Sequence, residues 1–397
     1  YRAQNPPIAG LGPAAIRDFI SYLRHGGASV TSALGDQPRY LKRAIGFGTS
    51  QSGRFLRTFL YDGFNADEKG RIVFDGVWPH VAGAGRGSFN IRFAQPSRDG
   101  HPMMNLFYPT DLFPFTDLPE SDPDTGVKAG LLDRTLNTPG APKIFYTNGS
   151  YEYWGRAASL IHTTADGKHD APLPSTTRIY FLAGTQHGPN ARPERNHTQN
   201  RANPSDYRWT LRALLEAMNA WIKDGVEPPA SEYPRVDRGE LATVETLRLP
   251  RMPGVEPPRH IYSAYHLDFG PEFQSAGVVS IEPPKVGKPF PQLVSKVGAE
   301  DGNEVAGVRS VDLRAPLATY SGWNLRSGDI GAPDRLADMI GSFIPYAKTK
   351  AEREKSRDPR PSIEERYRSR EDYLAKVKTA AADLARQRCL VVRENDE

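Results

Sequence analysis

The sequence predicts an α/β fold, a mostly parallel sheet with helices on both faces, and three observations carry that reading. Short apolar strand-like runs recur at 43–48, 71–77, 143–147 and 178–183. Helical patterns alternate with them, and strands alternating with helices imply parallel neighbours joined by crossovers. One strand also runs without a linker into a helix through Gly48-Thr-Ser50-Gln-Ser52-Gly53.

Each element has its own signal. Residues 13–25 open with Pro13 and place Ile16, Phe19, Ile20 and Leu23 at helical spacing, which predicts an amphipathic helix. Arg43-Ala-Ile-Gly-Phe-Gly48 reads as a buried strand, followed by a helical face of Phe55, Leu56, Phe59 and Leu60. Residues 78–142 are rich in Gly, Pro and aromatics, and a connection that long predicts a lid or insertion. A helix over 205–224 turns Leu211, Leu214, Leu215, Met218 and Trp221 inward and stops at Gly225. These parts make a core over 1–225. Residues 226–345 are Pro-rich with β-type runs such as 278–281, either a separate subdomain or a wrapping extension. In the closing segment, 346–397, Pro361-Ser-Ile-Glu-Glu365 is a capping box with Ser362 as N-cap. It predicts a charged helix whose buried stripe is Ile363, Tyr367, Leu374, Val377, Ala381 and Leu384.

Composition narrows the function. The 51 basic and 47 acidic residues leave a net charge of +4, spread along the chain, which gives little support to nucleic-acid binding. The single cysteine, Cys389, excludes an intramolecular disulfide framework and any Cys-based metal site, and it reads as a packed small hydrophobe. No apolar run approaches the roughly 20 residues that cross a bilayer, so a soluble protein without a membrane span is expected. The chain begins at Tyr1 without an initiator Met or a signal segment, so a missing natural amino terminus is expected.

The strongest chemical signal is the strand-to-helix turn at Ser50. A serine there has its hydroxyl held above the sheet in a strained backbone that needs tiny neighbours, the nucleophile elbow of α/β-hydrolases. Gly48 stands two before it; two after it stands Ser52 rather than Gly, with Gly53 next. The Gln51 N–H, at the start of the following helix, is the oxyanion donor. Ser52 is the competing nucleophile, but Arg54 occupies the place where it would need a small residue. The bland reading of the motif is a polar βα turn.

Serine needs a base, and the base an anion to orient it. In this fold the order is Ser, acid, His. The last strand ends in Gly184-Thr-Gln-His187-Gly-Pro, a Gly-flanked loop whose histidine can reach the elbow. The strand before it ends in Asn-Gly-Ser-Tyr-Glu152-Tyr-Trp154, where Glu152 is the first carboxylate and is wrapped in aromatics. Asp75, read at the end of the preceding strand, is the alternative acid. A surface histidine and an exposed glutamate are the plain alternatives.

These residues resemble a family of bacterial α/β-hydrolase-domain proteins, more distantly similar to glucuronoyl esterases. The resemblance rests on Gly48-Thr-Ser-Gln-Ser-Gly-Arg-Phe-Leu-Arg57, Trp78-Pro-His-Val-Ala-Gly-Ala-Gly-Arg-Gly-Ser-Phe-Asn90 and Tyr108-Pro-Thr-Asp-Leu-Phe-Pro-Phe115. It continues through Glu152-Tyr-Trp-Gly-Arg-Ala-Ala-Ser-Leu-Ile-His162, Gly184-Thr-Gln-His-Gly-Pro189, Thr319-Tyr-Ser-Gly-Trp-Asn-Leu-Arg326 and 362–367, nearly the whole chain. It implies a metal-independent carboxylic-ester hydrolase, often exported to the periplasm or outside the cell. It also implies further sheet strands before the first helix, with the loop that gives the second oxyanion N–H.

Other features fit around that reading. Gly83-Ala-Gly-Arg86-Gly-Ser88 resembles a phosphate cradle, but no Lys-Ser/Thr follows it, so it reads as part of the insertion. Arg86 there, with Tyr151 and Trp154, is a candidate substrate contact, and a structural arginine is an equal reading. His80, His101, His162 and His169 form no ligand spacing, so neither metal nor other cofactor is expected. The aromatics Trp78, Phe89, Phe107, Phe113, Phe115, Tyr151, Tyr153 and Trp154 could line an acyl pocket or simply pack. The expected activity is cleavage of a small-molecule carboxylic ester through an acyl-enzyme. A peptidase or amidase of the same fold, and a catalytically silent binding protein, are the alternatives.

Overall fold

The computed structural model describes residues 10–26, 41–91, 111–190 and 192–391. His101 and Phe107, and part of the expected lid, lie outside them. Four strands, β1 (Ile45–Thr49), β2 (Gly76–His80), β3 (Lys143–Gly149) and β4 (Thr177–Leu182), form a sheet in that order, all parallel. Helix α1 (Gly12–His25) precedes β1, α2 (Gln51–Tyr61) leaves it directly, and α3 (Ser150–Gly155) leaves β3. Helix α4 (Arg208–Asp224) follows β4.

Side chains alternate across the sheet, as the period of two requires. Val77, Ile144, Tyr146, Ile179 and Phe181 join Phe59 and Leu60 of α2 in the larger core. Their neighbours Trp78, Phe145, Tyr180 and Leu182 face the other way, against Leu214, Met218 and Trp221 of α4. Gly225, with φ of 70°, ends α4 in the left-handed conformation. Leu215 differs from its expected place and is exposed, because the helix touches the sheet along the narrower stripe that its neighbours occupy.

Three other expectations shift. The second strand starts at Gly76 and runs to His80, not over 71–77. Residues 72–74 are taken up by Ala66 and Asn65, which bridge Ile72 and clamp the Val73 and Phe74 backbone. Helix α1 forms, but Ile16 and Phe19 are exposed; it turns Ser21 and Arg24 to the body, bonding Asp67, the Ile72 and Val73 carbonyls and Asp75. The run 278–281 makes no strand: the Ser280 and Ile281 N–H groups both donate to the Phe269 carbonyl.

The region after α4 shares the larger core, through Tyr233, Leu241, Met252, Phe290, Trp323 and Ile344. Glu232 and Val308 bridge Tyr180 and Leu182 in parallel, extending the sheet past β4. Strand Ala318–Ser321 pairs antiparallel with Ser342–Pro345, which pairs with Arg201–Ala202. Near the end Ser362 caps a helix reciprocally with Glu365, but that helix stops at Arg366. Ser369 caps a second one, Arg370–Arg386, so the expected continuous stripe is broken and Leu374 is exposed. Among the described residues no helix is long and apolar enough to cross a membrane.

Candidate active site

The carboxyl ends of β1 to β4 carry the candidate residues. β1 ends at Thr49, and Ser50 adopts φ 57° and ψ −115° before α2 begins. A non-glycine residue at positive φ is costly and persists only where its surroundings over-determine it. Here the Ser50 N–H donates to the His80 carbonyl at 2.8 Å, and the Ser50 carbonyl accepts the Arg54 N–H at 3.0 Å. The flanking glycines are sterically required. A Cβ at 48 would overlap the Ser52 carbonyl, and one at 53 would lie 2.9 Å from both the Ala82 Cβ and the Gly48 carbonyl. Ser50 is half-buried and Ser52 exposed, and Gln51 is the first residue of α2.

Glu152 is the third residue of α3 and has no exposed surface. Its Oε2 accepts the Gly149 N–H at 2.8 Å, closing the helix start in the manner of a capping box. That local bond aims Oε1 away from the helix, and it lies 2.5 Å from His187 Nδ1. A carboxylate on Nδ1 fixes the tautomer that leaves Nε2 as a base.

His187 stands in a loop clamped at nearly every residue. Gly184 has φ of 63°; its N–H donates to Glu304 Oε2 at 2.6 Å and its carbonyl accepts Asn203 Nδ2 at 2.6 Å. The Thr185 carbonyl accepts the Tyr151 N–H, Gln186 Oε1 accepts the Gly341 N–H, and the His187 carbonyl accepts the Tyr207 hydroxyl at 2.6 Å. The Tyr151 ring lies edge-on to the imidazole at 5.7 Å. His80, the residue whose carbonyl holds Ser50, is buried beside His187; burial, with the His187 charge adding, pushes it down to about 3.

Asp75 is elsewhere. It precedes β2, takes the Ala44 N–H at 2.8 Å and pairs with Arg24 at 3.0 Å, so it sits at the amino edge of the sheet, opposite Ser50. The corrected start of β2 explains the shift: Asp75 comes before the strand and does not end it. Trp154 packs against Trp323 in the core. Arg86 is buried over the Tyr61 ring at 3.6 Å, donates to the Phe113 carbonyl and lines a pocket beside the far end of α2. Neither joins the Glu152 and His187 pair.

The sequence model of the family described as "Alpha/beta hydrolase domain" matches residues 1–397. The chain belongs to the alpha/beta hydrolase domain family. No curated protein and no solved structure matches it. Several supports of this α/β-hydrolase site had no sequence signal. Glu304 is fully buried, accepts the Ser150 hydroxyl at 2.7 Å as well as the Gly184 N–H, and is pushed up to about 7 by burial. It lies in the Pro-rich stretch, where no periodicity or motif marks it. Asn203 and Tyr207 both lie just before α4, and only their place soon after the histidine loop hints at contact with it.

Proposed function

We propose that the chain is a serine hydrolase that cleaves a small-molecule carboxylic ester with Ser50, His187 and Glu152. The observation that carries this reading is the backbone of Ser50, held at φ 57° between glycines that admit no side chain, at the same carboxyl edge of the parallel sheet as a buried His187–Glu152 pair. His187 Nε2 takes the Ser50 proton as Oγ attacks the ester carbonyl, and Glu152 stabilises the imidazolium. The Gln51 N–H, at the amino end of α2, faces the oxyanion of the tetrahedral intermediate. The C–O bond to the alcohol breaks as His187 returns the proton to it. Water, deprotonated by His187, then releases the acid and restores Ser50.

A fluorophosphonate probe with peptide mapping, together with assays on aryl esters and aryl amides, tests this. Labelling at Ser50 with ester turnover is expected. Amide turnover at equal or greater rate would move the reading to an amidase. Absence of both labelling and turnover would leave a hydrolase fold used for binding.

A further inference from the structure

Two buried arginines, one on the helix that leaves the elbow and one at the end of the Glu152 helix, are not used by the catalytic steps above. Arg54 is one helical turn after Ser50, so its Cα lies roughly 5–6 Å farther along α2. Arg156 ends the helix that carries Glu152, its N–H donating to the Glu152 carbonyl at 3.0 Å. The two residues are 6% and 5% exposed. Arg54 Nη1 and Arg156 Nε and Nη1 meet no hydrogen-bond partner among the described residues. Buried charges are ordinarily paired and fully bonded, since each lost bond costs the desolvation of its donor.

The counter-charge is uneven: burial works against Arg156, but Tyr151, Asp338, Tyr262 and Asp111 outweigh it and raise the group, whereas Arg54 is less well matched. Asp338 is 3.9 Å from Arg156 and already accepts the Tyr151 hydroxyl at 2.5 Å. Asp111 is buried near both arginines; burial pushes its carboxyl up against a hydrogen bond from Tyr262, and its Oδ2 meets no partner among the described residues. Burial and the neighbouring Arg156 push Arg54 down to about 10, the mark of an under-compensated cation. Arg57, one turn on, is tied down by Nη2, which donates to the Ala84 and Phe115 carbonyls, although its Nε and Nη1 also meet no partner among the described residues.

The backbone above the pair is thinned to let it sit there. At Gly83, φ 67°, a Cβ would overlap Arg156, and at Gly85 it would overlap Asp111 and lie 3.5 Å from Arg54 Cδ. These two glycines bring the loop after β2 down onto the arginines.

We propose that Arg54 and Arg156 bind a carboxylate of the substrate, so that the ester cleaved at Ser50 carries a second, anionic group a few bonds from the scissile carbonyl. A planar carboxylate matches the guanidinium fork and supplies acceptors for the N–H groups that meet none among the described residues. The inference builds on the proposed hydrolase reading, but the binding site can be tested apart from it.

The first test uses the full chain with Ser50→Ala, titrated with glutarate and with monomethyl succinate by calorimetry. Saturable binding is expected, weakened about tenfold or more by adding Arg156→Gln and only partly by Arg156→Lys. Thermal unfolding checks that each variant is folded; if the Gln form is not, the Lys form and the Ser50→Ala titration decide. No saturation by about 10 mM, or equal binding in all folded variants, would overturn the proposal.

The second test compares 4-nitrophenyl hemisuccinate, with the anion on the acyl side, 4-acetoxybenzoate, with it on the alcohol side, and neutral 4-nitrophenyl butyrate. One anionic ester is expected to exceed the neutral one in kcat/KM, with the ratio dropping about tenfold or more in Arg156→Gln, mostly through KM. A ratio unmoved by the substitution would overturn the proposal. Carboxylate binding without turnover of any ester would instead sink the hydrolase reading and leave the site standing.

Discussion

His187 Nδ1 lies 2.5 Å from Glu152 Oε1, while the other oxygen of that carboxylate is spent on the Gly149 N–H that starts its own helix. One side chain thus caps a helix and orients an imidazole, so the orientation of His187 is tied to the folding of α3. If Glu152 charges and orients His187, Glu152→Gln should lower kcat by about 10⁴-fold, the scale of the same change in a serine protease. Asp75→Asn should leave turnover within about threefold and cost on the order of 1–2 kcal/mol of stability through its Arg24 pair. Steady-state kinetics with denaturant unfolding of both variants separates the two effects, and a large kcat loss in Asp75→Asn would restore Asp75 as the acid.

Ser50→Ala should remove turnover by at least about 10⁴-fold, because the acyl-enzyme cannot form. Ser52→Ala should retain most of it, since that side chain is exposed on α2. Activity that survives the first substitution would end the assignment of the nucleophile.

Gly48→Ala should destabilise the protein by about 3 kcal/mol or more, because the added methyl overlaps a backbone carbonyl that no rotamer can move. Gly12→Ala is the control: nothing lies within 4 Å of its Cβ position, so a change near zero is expected. Urea unfolding of the pair measures the difference. Equal stability of the two would mean that the elbow relaxes.

His162 should make stability fall on acidification. It is fully buried with Nε2 on the Tyr153 hydroxyl at 2.7 Å, and burial pushes it down to about 3. The unfolded histidine titrates near 6.5, so between these values the unfolded state binds the extra proton. The contribution is therefore present above about 6.5 and is lost as pH falls toward 3, reaching on the order of 2 kcal/mol at pH 5. His80, also pushed down to about 3, adds in the same direction. Glu304, pushed up to about 7, opposes both, being most favourable below its ordinary value and losing its contribution as pH rises through 7. Comparing wild type with His162→Gln at pH 7 and pH 5 isolates the one group. The variant should lose about 2 kcal/mol less on acidification, and an unchanged difference would show His162 not to titrate in that window.

The elements that announce themselves locally were the legible ones. The elbow is a run of small residues whose steric need is written in the sequence, and Glu152 and His187 follow the last two strands of the parallel sheet. Boundaries failed where tertiary contacts overrode pattern. Asp75 reads as a strand end until Asn65 is seen holding residues 73 and 74, and α1 reads as amphipathic until Arg24 is seen to anchor it. Glu304, Arg54 and Arg156 could not be read as a set, because each owes its role to partners far along the chain and not to neighbours in sequence.

The bond from Ser150 to Glu304 spans 154 residues, and the same carboxylate holds Gly184. The segments bearing Glu152 and His187 are therefore hooked together by a strap from the region after α4, joined there by the Gly322 N–H on Ser150 Oγ and the Gly341 N–H on Gln186. That region cannot be shed as an appendage. A chain cut between 226 and 300 that let the strap drift would keep the elbow, built wholly from residues 46–82, and could still accept a reactive phosphonate slowly. It would lose the alignment that the proposed reaction needs, so inactivation by nicking would begin far from Ser50 and leave the elbow looking intact.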